Sequence, residues 1–268
     1  MKRLFLGSVA LVALNLGTSA AFAADRPVPA YAPPPPPPPA YTWSGCYAGA
    51  SAGTSNGTST HYTTAGSVLT PNTALPAAAI GANITDSFNL SGFIGGGQLG
   101  CNWQWGAWVF GIEGDGSATN KEGQAFETFL VPFLGANRGG WIAQTQERWL
   151  VTARGRLGLT NFWWFGPNTL LYVTGGGAWA KIDTSEFLSG VSINRSHQES
   201  NTRGGWTVGG GLEYALGYGW SVKSEFLYVK FDNFTTFGAA PFTPLIVSPR
   251  EVKLEDYIWR AGLNYKFW

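Results

Sequence analysis

Past its first forty residues the chain is organised by a two-residue period. In the segment 149–159, Thr152, Arg154 and Arg156 fall on one parity while Val151, Ala153, Gly155, Leu157 and Leu159 fall on the other. Glu113 and Asp115 oppose Trp108, Phe110, Ile112 and Gly114. Glu213 opposes Trp206, Val208, Leu212 and Tyr214, and Lys223 and Glu225 oppose Val222, Ser224, Phe226 and Tyr228. Such alternation belongs to strands with two unlike faces. It predicts eight of them, at 46–56, 91–103, 108–118, 149–159, 169–181, 205–215, 220–231 and 257–268.

The connections come in two lengths. "QWGA", "TNFWWFGPN" and "LGYG" are short; 57–90, 119–148, 182–204 and 232–256 are long and rich in Ser, Thr, Asn and Gly. Long loops fit poorly in a compact soluble domain but are usual on the outer side of a membrane barrel, opposite its short periplasmic turns. Aromatic residues gather near strand ends, at Trp103, Trp108, Trp149, Trp179, Trp206, Trp220, Tyr257 and Trp259, as in the two interfacial girdles of such barrels. A soluble sandwich would place charge on its outer face and branched aliphatics in its core. The expected fold is therefore all-β: an eight-stranded antiparallel transmembrane up-and-down β-barrel with short periplasmic turns and long outer loops. The final "YIWRAGLNYKFW" then serves as the strand that meets the first, since hydrocarbon offers no partner to an open sheet edge.

Composition agrees. The chain of 268 residues holds 37 Gly and 13 Trp, with 15% aromatic but only 12% charged residues, about half the charged share of a soluble domain. Lys and Arg total 17 against 16 Asp and Glu, so no strong field recruits nucleic acid. Lys2 and Arg3, the apolar run 4–16 and Ala21-Phe22-Ala23 have the layout of a cleaved secretory signal, 1–23. Residues 24–42 include seven consecutive prolines, 33–39, which favour extended polyproline II. They are expected to form a proline-rich periplasmic tether, a possible periplasmic contact, leaving 43–268 for the barrel.

The segments "TWSGCYAGASAG", "SGFIGGGQLGCNWQ", "WVFGIEGD" and "YVTGGGAWA", with the apolar alternation leading to Tyr265-Lys266-Phe267, resemble the small porin-like family that includes the outer-membrane immunogenic proteins of Gram-negative bacteria. The resemblance implies a barrel of eight strands in the cell outer membrane, surrounded by its lipids. It also implies a terminal signature, Tyr265 and Phe267, read by the barrel-assembly machinery. Here Trp268 follows the phenylalanine expected at the very end.

Other motifs have plainer readings. Gly95, Gly97 and Gly100 fit G-x-G-x-x-G, yet the segment continues as a strand where a dinucleotide site needs a helix; glycines there, at 175–177 and at 209–211 relieve crowding in a narrow barrel. Cys46 and Cys101 are the only cysteines; a cross-strand disulfide at the periplasmic end is expected, two unpaired thiols being the alternative. His61 and His197 are placed in outer loops. Ser196, His197 and Glu199 are neighbours in sequence, which seldom make a working triad, and His and Cys are not clustered as metal ligands; no enzyme activity, metal or cofactor is expected. The resemblance to that family implies a further possibility, capture of a ligand such as haem by the outer loops, where Phe126, Phe129, Phe133 and Trp141 would supply a surface, without an evident axial-ligand set.

The inward parity collects Glu113, Asp115, Arg154, Arg156, Glu213, Lys223, Glu225, Arg260 and Lys266, five cations against four anions. Lone buried charges are costly and eight strands enclose little more than side chains. The expected protein is a plugged barrel with a structural or surface-interaction role; the alternative is a narrow porin for small solutes or ions.

Overall fold

The computed structural model describes residues 41–64, 68–70, 73–74, 87–127, 140–162, 165–190, 193–236 and 250–267. The expected signal at 1–23, the tether apart from Tyr41 and Thr42, and Trp268 lie outside the described residues.

The strands are β1 (Gly45–Thr63), β2 (Phe88–Trp105), β3 (Trp108–Thr119, resuming as Glu122–Glu127), β4 (Gly140–Thr160), β5 (Thr169–Gly190), β6 (Ile193–Gly217), β7 (Trp220–Phe231, resuming as Phe234–Thr236) and β8 (Arg250–Lys266). Each pairs antiparallel with its neighbour in sequence. The ring closes where β8 pairs with β1, from Tyr47 opposite Lys266 to Thr63 opposite Arg250. A small hairpin, Val68–Thr70 with Thr73–Ala74, stands apart from the ring.

The register fixes the shape. Pair by pair, Ser55 leads to Ile258, Leu227, Gly209, Thr174, Arg156, Gly111 and Asn102, and returns to β1 at Gly45. One circuit thus climbs ten residues along the strand, from 45 to 55. With about 3.3 Å per residue and about 4.8 Å between strands, this shear tilts eight strands by about 41° and gives a backbone radius of about 8 Å. An interior of that width is just wide enough for side chains to occupy.

The outward parity is apolar and banded. Tyr214, Trp220 and Tyr265 mark the end with the short turns; eight residues along the same strands stand Trp206, Tyr228 and Tyr257. Trp206 and Tyr228 meet edge-on at 5.5 Å, Tyr228 and Tyr257 lie 5.3 Å apart, and Trp220 and Tyr265 lie 5.0 Å apart. Eight tilted residues span about 20 Å, close to the apolar band of an outer-membrane barrel. Phe93, Leu99, Ile112, Val173, Trp259 and Phe267 are all more than half exposed, which suits hydrocarbon and not water.

The strands outrun the sequence reading. β1 continues to Thr63, β4 starts at Gly140, β5 reaches Gly190, β6 starts at Ile193 and β8 at Arg250, so much of the expected outer loops is sheet. Above the upper aromatic belt neither face meets hydrocarbon. The stretch "INRSHQESNTRG" is therefore polar on both parities and reads as loop, although its ladder with β5 is continuous.

Glycines make room inside. A Cβ on Gly100 would stand 2.4 Å from the Tyr47 hydroxyl, and one on Gly211 2.6 Å from the Tyr172 hydroxyl. Both glycines remain within strands β2 and β6, and no helix follows Gly100 among the described residues.

Candidate functional site

Inward parity brings one belt of charge to the middle of the lumen. Arg154 of β4 reaches Glu113 at 2.5 Å and Asp115 at 2.9 Å, both on β3, and Glu225 of β7 at 3.1 Å. Arg156 reaches Glu213 of β6 at 2.8 Å and Glu113 at 3.4 Å, with its guanidinium 3.9 Å from the centre of the Tyr172 ring on β5. Lys223 of β7 lies 3.0 Å from Glu113 and 3.8 Å from Glu225; Arg260 of β8 lies 2.7 Å from both Asp115 and Glu225. Tyr47 of β1 donates to Glu113 at 2.6 Å and Tyr172 to Glu225 at 3.0 Å. Thr152 donates to Asp115, and Ser221 and Asn264 donate to Glu213. Gln98 of β2 donates to Asn264 at 2.5 Å.

All eight strands therefore contribute to one cluster. Its four cations and four anions are each at most 5% exposed, and their formal charges cancel. Every cation touches two or more carboxylates, the condition under which buried ions compensate for lost hydration.

Lys266 does not belong to it. The last inward position of β8 lies at the mouth: its ammonium binds the Thr42 carbonyl and sits 4.3 Å from the Tyr41 ring centre. Parity alone placed it inside; its height on the strand places it at the rim.

Three features were not read from sequence. At the short-turn end Trp43, 2% exposed, packs inside the ring against Val109, Leu170, Tyr172 and Ala215. It is held by its backbone N–H to Gln104 at 2.8 Å and its indole N–H to the Pro167 carbonyl at 3.1 Å. Tyr41 packs edge-on against it at 4.9 Å; burial, then the charge of Glu213, pushes the Tyr41 phenol up to about 12. An aromatic two residues ahead of a strand carries no periodic signal.

Toward the long-loop end the inward face turns apolar. Phe88, Leu90, Ile94, Leu150, Ile182, Leu227 and others form one buried cluster. Within that zone, Lys121 binds Glu147 at 2.7 Å and also Asp256, all three fully buried. Lys121 sits in the break of β3, and Glu147 beside the bulge of β4. All three fell in segments expected to be loops.

Cys46 and Cys101 face each other across β1 and β2 and are joined by a disulfide. His61 lies in β1 and not in a loop, buried with its ring 5.5 Å from that of Phe88. Ser196, His197 and Glu199 lie in β6, where the backbone of His197 pairs with Glu186. Phe126 is 65% exposed; Phe129 and Phe133 lie outside the described residues. Tyr265 and Phe267 face outward, as the terminal stripe requires.

Residues 10–267 match the family described as outer membrane protein beta-barrel domain. The chain belongs to that family. The barrel is an outer-membrane barrel, its short turns on the periplasmic side. It is 35% identical over 178 residues to the 31 kDa outer-membrane immunogenic proteins of Brucella melitensis biotype 1 and Brucella suis biovar 1, covering 66% of this chain and 67% of each relative. Among solved structures it overlaps the outer membrane protease OmpT from Escherichia coli, with TM-score 0.48 and 10% identity, over 84% of this chain and 98% of that one. An overlap of that size says nothing of activity. In the outer-membrane barrel, then, Trp43 lies buried at the periplasmic end, the charge cluster lies in the middle and the larger buried apolar cluster lies toward the outer end.

Proposed function

We propose that this outer-membrane barrel is a non-conducting, non-enzymatic wall element that acts through its outer surface. The supporting observation is the cross-lumen cluster to which every strand contributes. A solute on the axis would have to part several buried ion pairs, and leaving one partner uncompensated costs about 3–5 kcal/mol. Buried Trp43 and the apolar outer cluster lie in series with it.

Its outer strands suit presentation. β5 and β6 stay paired to Gly190 and Ile193, well beyond the upper aromatic belt, so the wall is raised above the membrane as a rigid platform. The relatives' name, immunogenic, fits a surface accessible from outside. Residues 1–23 act as the export signal and 24–42 as the periplasmic tether, while Tyr265, Phe267 and Trp268 present the terminal signature to the assembly machinery.

Liposome swelling tests the reading. Vesicles holding the refolded chain should swell in small sugars no faster than empty ones, and rapid swelling would refute it.

A further inference from the structure

We propose that Arg148 and Lys181, on the outer wall just above the upper aromatic belt, clamp the phosphate of an anionic lipid headgroup in the outer leaflet. The β-bulge between Glu147 and Trp149 sets the geometry. The extra residue lets Glu147 turn into the lumen while Arg148 and Trp149 both stay outward; bulges commonly re-aim a side chain in this way. Arg148 is about half exposed, at 52%, and its Nε donates to Asp183 at 2.6 Å. That contact uses one donor of the fork. A guanidinium carries further N–H donors on its Nη edge, which matches phosphate bidentately.

Asp183 offsets only one of the two positive charges, leaving the Arg148, Lys181 and Asp183 group at a formal +1. It is only 8% exposed, and its second oxygen accepts from Ser200 at 2.5 Å, so the carboxylate serves as an anchor beneath the arginine. Lys181 stands directly across the ladder from Trp149, on the same parity as Trp179 and Asp183. Trp179 and Trp206, 44% and 47% exposed, mark the hydrocarbon boundary immediately below, the depth at which headgroup phosphates lie. The exposed surface is thus two cations resting on an aromatic shelf. On the opposite wall Lys230 is paired with Glu255 at 2.9 Å on the surface itself and offers no such excess.

Native mass spectrometry of the detergent-folded chain tests this, with bis-phosphorylated lipid A, its dephosphorylated counterpart and inorganic phosphate as probes. The wild type should retain the bis-phosphorylated lipid, and Arg148→Gln with Lys181→Gln should retain it roughly 25-fold less, about a factor of five for each interfacial cation. Lys181→Gln alone, which leaves the bulge and the Asp183 contact intact, should lose about five-fold. Lys230→Gln should lose nothing, and the dephosphorylated lipid should not distinguish the variants. Equal retention by wild type and the double variant would overturn the clamp. Full displacement of the lipid by equimolar inorganic phosphate would overturn the lipid as its occupant, leaving a plain anion site.

Discussion

Asp115 and Arg260 lie 145 residues apart in sequence and 2.7 Å apart across the lumen. The contact joins β3 to β8 without passing through the sheet, and Glu225 shares the same guanidinium. The wall is therefore braced from inside as well as by its ladders.

Removing Asp115 should cost more than the contact itself contributes, because Arg260 and Arg154 would keep their charge with one acid fewer. Asp115→Ala is expected to lower unfolding free energy in detergent by about 3–5 kcal/mol. Adding Arg260→Met should recover part of that loss. Tryptophan fluorescence during urea unfolding measures both, and strictly additive losses would disprove the coupling.

Lys121 offers a sharper contrast. Lys121→Met strands Glu147 and Asp256 together in an apolar layer and should destabilise by about 3–5 kcal/mol, whereas replacing all three with apolar residues of similar volume should come near neutral. Urea midpoints of the two variants should differ widely; equal midpoints would show that the triad is not desolvated.

The disulfide joins directly opposed residues and closes a segment of 55. Cys46→Ser with Cys101→Ser should reduce stability by about 2–4 kcal/mol while the barrel still assembles. Heat-shifted migration on unboiled gels reports assembly, and its loss in the double serine variant would contradict the barrel's independence of the bond.

The sequence made the membrane-embedded part of the fold readable because hydrocarbon enforces alternation there. Eight of the nine expected lumen charges, from Glu113 to Arg260, lie in strands where an outward charge would face lipid, so parity located them. Lys266 escaped that logic at the aqueous rim. Lys121, Glu147 and Asp256 were hidden for a related reason: above the upper belt both faces tolerate polar residues, so the strand continuations around them leave no periodic trace. Trp43 was invisible because it acts through one indole and two hydrogen bonds, outside any repeat. Arg148 depends on a bulge, a one-residue change of phase that composition does not reveal.

Single-channel recording in planar bilayers tests the central proposal most directly. The refolded wild-type chain, oxidised and with Trp43 in place, should insert and give no steady conductance steps at neutral pH. Regular, reproducible steps from that same protein would contradict a filled lumen.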